Sequence, residues 1–394
     1  MPAGRAAGVK RMVIERFPVS MLLGIQLLVM VIIPAVVKET EPLQLILRIC
    51  AVALAVALYV EALILPLGPS DRVATPLAVS AARTILAVGI VAVIISNLGG
   101  AGSYAVQLGL AERSPFASAA TPFTIWMLCG TALILWMYRN EQVDRRQAIG
   151  VVFLVCAVSL WEGIYRAILG SSAAFMMTVL VLAIFARLIR VRALIAALML
   201  IPLLWPPIYE FRDSIRRGAT GGMVQVSADA PMERLQLDAQ MALIARLTPR
   251  PVGLEAPDLL TLVRIGVIPS ILDSPDRPPL DTASRLSVAL GGSATNSQSA
   301  TMLGNIYVFE GWPGIVAFAV CVTLVMGFLL RRNNPWAFAG VGLIYWSAIS
   351  FNASYPDVIP KVLQAIVAMF VAYFLARLIT RNRRNGTAGD AAVR

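Results

Sequence analysis

The stretch from Leu43 to Pro66 reads LQLILRICAVALAVALYVEALILP, and its only charged residues are Arg48 and Glu61. A helix needs about 20 mostly apolar residues to cross a bilayer. It is favoured there because lipid offers the backbone no hydrogen-bond partners and a helix satisfies its own. The stretch is therefore predicted to be a membrane-spanning helix. The same test picks out nine further windows, near 18 to 37, 76 to 98, 122 to 138, 148 to 165, 172 to 189, 193 to 209, 313 to 330, 335 to 352 and 360 to 379. With 58% hydrophobic residues, 14% charged residues and a mean hydropathy of +0.78, the chain is expected to be all-α, a polytopic membrane bundle of about ten transmembrane helices.

The formal charge of +11 is distributed as topology rather than as a nucleic-acid surface. One set of connections carries Arg5, Lys10, Arg11 and Arg16; Arg72; Arg139, Arg145 and Arg146; Arg187, Arg190 and Arg192; Arg331 and Arg332; and Arg381, Arg383 and Arg384. These alternate without a violation, which places both termini in the cytoplasm and predicts attraction to membrane lipids, with no nucleic-acid partner. The first apolar run lacks a small-x-small cleavage site and reads as a retained helix. Three regions follow: an N-terminal bundle of seven helices over 1–209, a large extracytoplasmic loop over 210–312, and three helices with a basic tail over 313–394.

Chemistry is bounded by what is missing. The chain has no histidine, which removes the usual general base and every Ser-His-Asp or Cys-His arrangement. Cys50, Cys129, Cys156 and Cys321 lie in apolar runs without CxxC spacing, so neither a disulfide framework nor a zinc site is expected. Carboxylates, arginines, hydroxyls and backbone groups remain, with no cofactor or metal.

A loop as long as 210–312 should carry structure of its own. Asp229 to Leu247, DAPMERLQLDAQMALIARL, fits an amphipathic helix: Asp229 as cap, Pro231 in the first turn, and an apolar stripe of Met232, Leu235, Leu243, Ile244 and Leu247. A second short helix is expected from Pro257 to Gly266, followed by the proline-rich IPSILDSPDRPP of Ile268–Pro279. The loop holds Arg212, Arg216, Arg217, Arg234, Arg246, Arg250, Arg264, Arg277 and Arg285, but no lysine. Lys10, Lys38 and Lys361 are the only lysines in the chain, so arginine over lysine here is a matter of composition. Within the membrane windows, Glu162 and Arg166 are one turn apart and suit a helix pair. Arg83 is expected to find an internal partner such as Glu61, and Arg48 either to snorkel or to reach an anion at the outer mouth.

RIGVIPSILDSPDRPP followed by SQSATMLGNIYVFEGWPG resembles the O-antigen and exopolysaccharide polymerases of bacterial envelopes. The resemblance rests on Ile268 and Pro269, on Arg277 and Pro278, and on Tyr307, Gly311 and Gly314. Ser270 stands where those proteins often carry a basic residue, and Glu310 intervenes before Gly311. The related O-antigen ligases rely on a histidine that this chain lacks.

The resemblance implies a GT-C-like membrane glycosyltransferase of the bacterial inner membrane. It would transfer a glycan from one undecaprenyl-pyrophosphate carrier to another lipid-linked repeat unit, without metal, beside a flippase and a chain-length regulator. Pyrophosphate contacts are then expected from Arg212, Arg216, Arg264, Arg277, Arg285 and Arg48, and the general base from Glu310, Asp273 or Asp276. Tyr307 is expected to pack on a sugar or orient Glu310. Ordinary roles stay open for the same residues: turn caps for Asp273 and Asp276, a pair with Glu210 or Asp213 for Arg212, and a helix cap near Pro313 for Glu310. The alternatives in function are a lipid-linked oligosaccharide flippase and a non-catalytic assembly scaffold.

Overall fold

The computed structural model describes residues 17–64, 77–100, 106, 112, 114–166, 169–220, 237–251, 254–255, 258–268, 282–291, 300–350 and 355–392. Among these the secondary structure is helical, with no strand. The helices are α1 (Pro18–Val37), α2 (Leu43–Ile64), α3 (Val79–Leu98), α4 (Pro115–Arg139), α5 (Arg145–Arg166), α6 (Leu169–Phe185), α7 (Val191–Thr220), α8 (Leu237–Ala242), α9 (Leu259–Val267), α10 (Thr282–Ala289), α11 (Thr301–Arg331), α12 (Pro335–Ile349) and α13 (Val358–Ala392).

Seven of these, α1 to α5, α11 and α13, are long and apolar enough to cross a membrane. Apolar stretches of α6 and α12, Gly170–Phe185 and Pro335–Ile349, are shorter. At 1.5 Å per residue each covers about 22–24 Å of a hydrocarbon core of about 30 Å. Large apolar side chains point away from the bundle, Phe153 at 76% exposure and Phe370 at 60%, as a lipid-facing surface requires.

The core is built around α4, whose residues Ile125 to Met137 are all buried. Small residues let α3 approach it to backbone contact. A Cβ on Gly89 would lie 2.1 Å from the Met127 nitrogen, and one on Gly130 would lie 2.5 Å from the Leu86 nitrogen. Close approach of this kind drives association where surrounding lipid is as apolar as the helices. Trp126 adds a hydrogen bond from Nε1 to the Ala368 carbonyl of α13, at 2.9 Å.

Glu61 departs from its expected role. Its carboxylate accepts the Val19 and Ser20 backbone N–H groups, at 2.7 and 3.1 Å, and the Ser20 hydroxyl. It thus caps α1 from a neighbouring helix, where Phe17 has no side-chain acceptor to offer. Arg83 instead donates to Gln147 Oε1 at 3.1 Å on the exposed side of the bundle. The expected Arg83–Glu61 pair does not form, because helix-terminal amides supply the donors a buried carboxylate needs. Glu162 and Arg166 do pair, at 3.0 Å, and Arg166 also donates to Asn97 Oδ1 at 2.6 Å.

The helices of the long connection gather at the opposite end of the bundle from the Glu61 cap, here termed the loop end. Asp238 of α8 accepts from Thr40 Oγ1 at 2.9 Å and lies 3.8 Å from Lys38 Nζ, so α8 is fastened to the turn that follows α1. The α-helix expected to run to Leu247 ends at Ala242, followed by a 3-10 turn over Leu243–Ala245; Ile244 and Leu247 are nevertheless fully buried and Leu243 half-buried, while Asp229, Pro231, Met232 and Leu235 lie outside the described residues. The second expected helix is α9, whose N-cap is Asp258, accepting from the Thr261 amide at 2.8 Å.

Candidate functional site

At the loop end, α11 begins at Thr301, twelve residues before the Pro313 start expected from hydropathy, so Tyr307 and Glu310 stand on helical backbone. The helix breaks at Gly311, with φ 66° and ψ −155°, a conformation that glycine alone tolerates readily. Pro313 follows. In an unbroken helix the amide of residue 313 would bond the Phe309 carbonyl, but proline has no N–H to give. The guanidinium of Arg250 supplies the missing donor, from Nη1 to the Phe309 oxygen at 3.2 Å. A sequence-imposed defect thereby anchors an arginine beside the residue that precedes Glu310.

Glu310 itself is exposed, and its Oε1 accepts a 2.7 Å hydrogen bond from the hydroxyl of Tyr355, in the turn that leads into α13. The Tyr355 ring lies 6.1 Å from that of Phe309. Burial, the hydrogen bond to Glu310 and the negative charge of Glu310 together push the Tyr355 phenol above its ordinary pKa, so the hydroxyl keeps the proton it donates to Glu310 into alkaline pH. Tyr307 does not orient Glu310; its ring meets Trp312 edge-on, with centroids 5.1 Å apart.

Below this pair, α11, α12 and α13 enclose an open apolar groove of about 660 Å³. Glu310 and Tyr355 line it together with residues such as Pro313, Phe318, Val322, Ile359 and Leu363. Its size falls within the ~300–1,000 Å³ of small-molecule sites, and its composition, apolar walls with a few polar groups, is the usual one. The arrangement can hold a hydrocarbon chain along the bundle while presenting a carboxylate, oriented through one oxygen, to a polar head.

The remaining expected site residues are distributed around this feature. Arg264 lies half-buried on α9, which packs against the start of α13 through Gly266 on Pro360 and Leu363. Arg285 lies half-buried on α10. Thr282 of the same helix donates to Asp357 Oδ1 at 2.6 Å, which ties α10 to the turn carrying Tyr355. Arg48 is exposed on α2, on the face opposite buried Ile46, Ile49 and Cys50; it is five residues from the start of the helix, about 7–8 Å along it. There it suits snorkelling to a lipid headgroup. Arg212 and Arg216 fall on α7, with side chains outside the described set, and Asp273, Asp276 and Arg277 lie outside the described residues.

Tyr355 and Arg250 were not singled out from the sequence as site residues. The signal for Arg250 was present in Gly311 and Pro313, which leave a carbonyl in need of a donor, but not the identity of that donor. Among the described residues no group of three or more His, Cys, Asp or Glu side chains is placed to hold a metal ion. No protein-family model, curated protein or solved structure matches this chain.

Proposed function

We propose that the protein is a membrane glycosyltransferase that polymerises lipid-pyrophosphate-linked oligosaccharide repeat units at the outer face of the bacterial inner membrane. In this reading the bundle is GT-C-like with ten crossings, both termini are cytoplasmic and the loop end faces outward. Polymerase-like motifs in the sequence support the reading. The observation that carries it is the placing of Glu310, held by Tyr355, at the head of an apolar groove in the membrane-crossing bundle.

The chemistry follows from that placement. Glu310 takes the proton of the acceptor sugar's hydroxyl as its oxygen bonds to the donor's anomeric carbon. The bond from that carbon to the pyrophosphate oxygen breaks, and the pyrophosphate leaves with the electron pair. Arg250, bonded to the carbonyl of Phe309, the residue before Glu310, would supply positive charge as the leaving group becomes more anionic. Lipid tails are as apolar as the groove walls, so the groove adds orientation more than affinity.

The flippase alternative loses its main motive, since Glu61 caps a helix and Arg83 bonds an exposed glutamine. Purified protein in liposomes, supplied with a polyprenyl-pyrophosphate repeat unit, distinguishes the two. A polymerase releases one polyprenyl pyrophosphate for each new glycosidic bond. Translocation of the lipid without new glycosidic bonds would refute the assignment.

A further inference from the structure

We propose that α9 is lodged in the hydrocarbon edge of the bilayer at the loop end, with its free face against lipid acyl chains. The nine residues LLTLVRIGV are apolar except for Thr261 and Arg264, which share one edge of the helix and leave the rest of its surface apolar. One side, Leu262, Ile265 and Gly266, is buried against α13. A Cβ on Gly266 would lie 2.7 Å from Leu363 Cβ and 3.1 Å from Pro360 Cα, so the helices approach almost to backbone contact. Gln364 fixes the register by donating from Nε2 to the Ile265 carbonyl at 3.2 Å.

These contacts set the depth of α9, because Pro360 to Gln364 are the third to seventh residues of Val358–Arg381, a segment long and apolar enough to cross a membrane. The other side of α9 presents Leu260 at 81% exposure and Leu259 at 64%, with Val263, Val267 and Ile268 also exposed. That surface adjoins α13, which itself exposes Val367, Phe370 and Phe374 further along. It therefore continues a lipid-facing surface, and the occupant it fits is the same hydrocarbon.

Polar requirements agree. The Thr261 amide and hydroxyl are both taken by Asp258, at 2.8 and 2.9 Å, which removes two donors that lipid could not satisfy. Asp258 itself is exposed, and a carboxylate is costly in hydrocarbon, so the N-terminus of α9 is set at the water boundary. The long connection therefore re-enters the membrane instead of forming a wholly external domain. This inference is independent of the proposed reaction.

Site-directed spin labelling in liposomes tests it. Cys156 and Cys321 are replaced by alanine, buried Cys50 and Cys129 are kept, and a nitroxide is attached at L260C or, separately, at L259C. Labels at F374C and E141C serve as lipid-facing and water-facing references. Collision with oxygen should be high and collision with a water-soluble nickel chelate low at both α9 positions, as at residue 374. High nickel accessibility, as at residue 141, would overturn the proposal in favour of an aqueous surface. Low accessibility to both reagents would overturn it in favour of a protein partner or a second copy covering the helix. The two positions label exposed side chains separately, so poor folding of one variant leaves the other to decide.

Discussion

The hydroxyl of Tyr355 donates a 2.7 Å hydrogen bond to Oε1 of Glu310, joining the turn before α13 to the kink of α11 across 45 residues of sequence. One carboxylate oxygen is thereby fixed, and in the proposed reaction the other acts on the substrate. E310Q keeps the shape but removes the base, so elongation in liposomes should fall by about 10²–10⁴-fold while the protein remains monodisperse. Y355F, which removes one hydrogen bond to a charged group worth about 1.5–3 kcal/mol, should cost roughly 10–100-fold in the same assay. Equal activity of Y355F and wild type would remove Tyr355 from the site.

The raised pKa of Tyr355 has a defined sign in stability. The folded state holds the phenolic proton where the unfolded chain, with an ordinary value of about 10, has lost it. The associated stability is fully present below about pH 10 and declines as pH rises above that value. The difference in melting temperature between wild type and Y355F should therefore narrow above pH 10 and stay constant from pH 7 to 9. A gap that does not change with alkaline pH would contradict the burial of the phenol.

Arg250 and Pro313 should be coupled through the Phe309 carbonyl. R250A leaves that oxygen without its donor and should lower elongation by about 10-fold, on the scale of one lost hydrogen bond of about 1.5 kcal/mol. P313A gives residue 313 an N–H that can reach the same carbonyl once Gly311 returns to helical backbone, and in that background R250A should cost measurably less. Strict additivity of the two substitutions would show that the carbonyl does not link them.

At the other end of the bundle, E61A orphans the amides of Val19 and Ser20 and should destabilise the protein by on the order of 3 kcal/mol, read as a lower melting temperature in detergent. E61Q retains one carbonyl acceptor and should fall between E61A and wild type. Elongation per folded molecule should be unchanged in both, since neither substitution touches the loop end.

Seven of the ten expected apolar helices are long and apolar enough to cross a membrane, and these were legible because an apolar window depends only on local composition; the Glu162–Arg166 pair was legible because it depends on one helical turn. Glu310 was singled out by the motif around it. Its partner was not, because Tyr355 comes from a separate connection and no local spacing relates the two. The start of α11 was also missed: Thr301-Met302-Leu303-Gly304-Asn305 follows a serine- and threonine-rich run that reads as a turn, yet buried Leu303, Asn305 and Ile306 extend the helix by tertiary packing. The expected Arg83–Glu61 pair failed for a related reason. Charge matching can be read from sequence, whereas a helix terminus delivered by another segment is visible only in the fold.

In the proposed reaction Glu310 serves glycosidic bond formation between lipid-linked repeat units. The most direct measurement is the chain-length distribution made by purified wild-type and E310Q protein in liposomes supplied with one polyprenyl-pyrophosphate repeat unit. Wild type should yield a ladder of products and E310Q only the single unit, with equal amounts of folded protein. A ladder of the same length and rate from E310Q would contradict the claim.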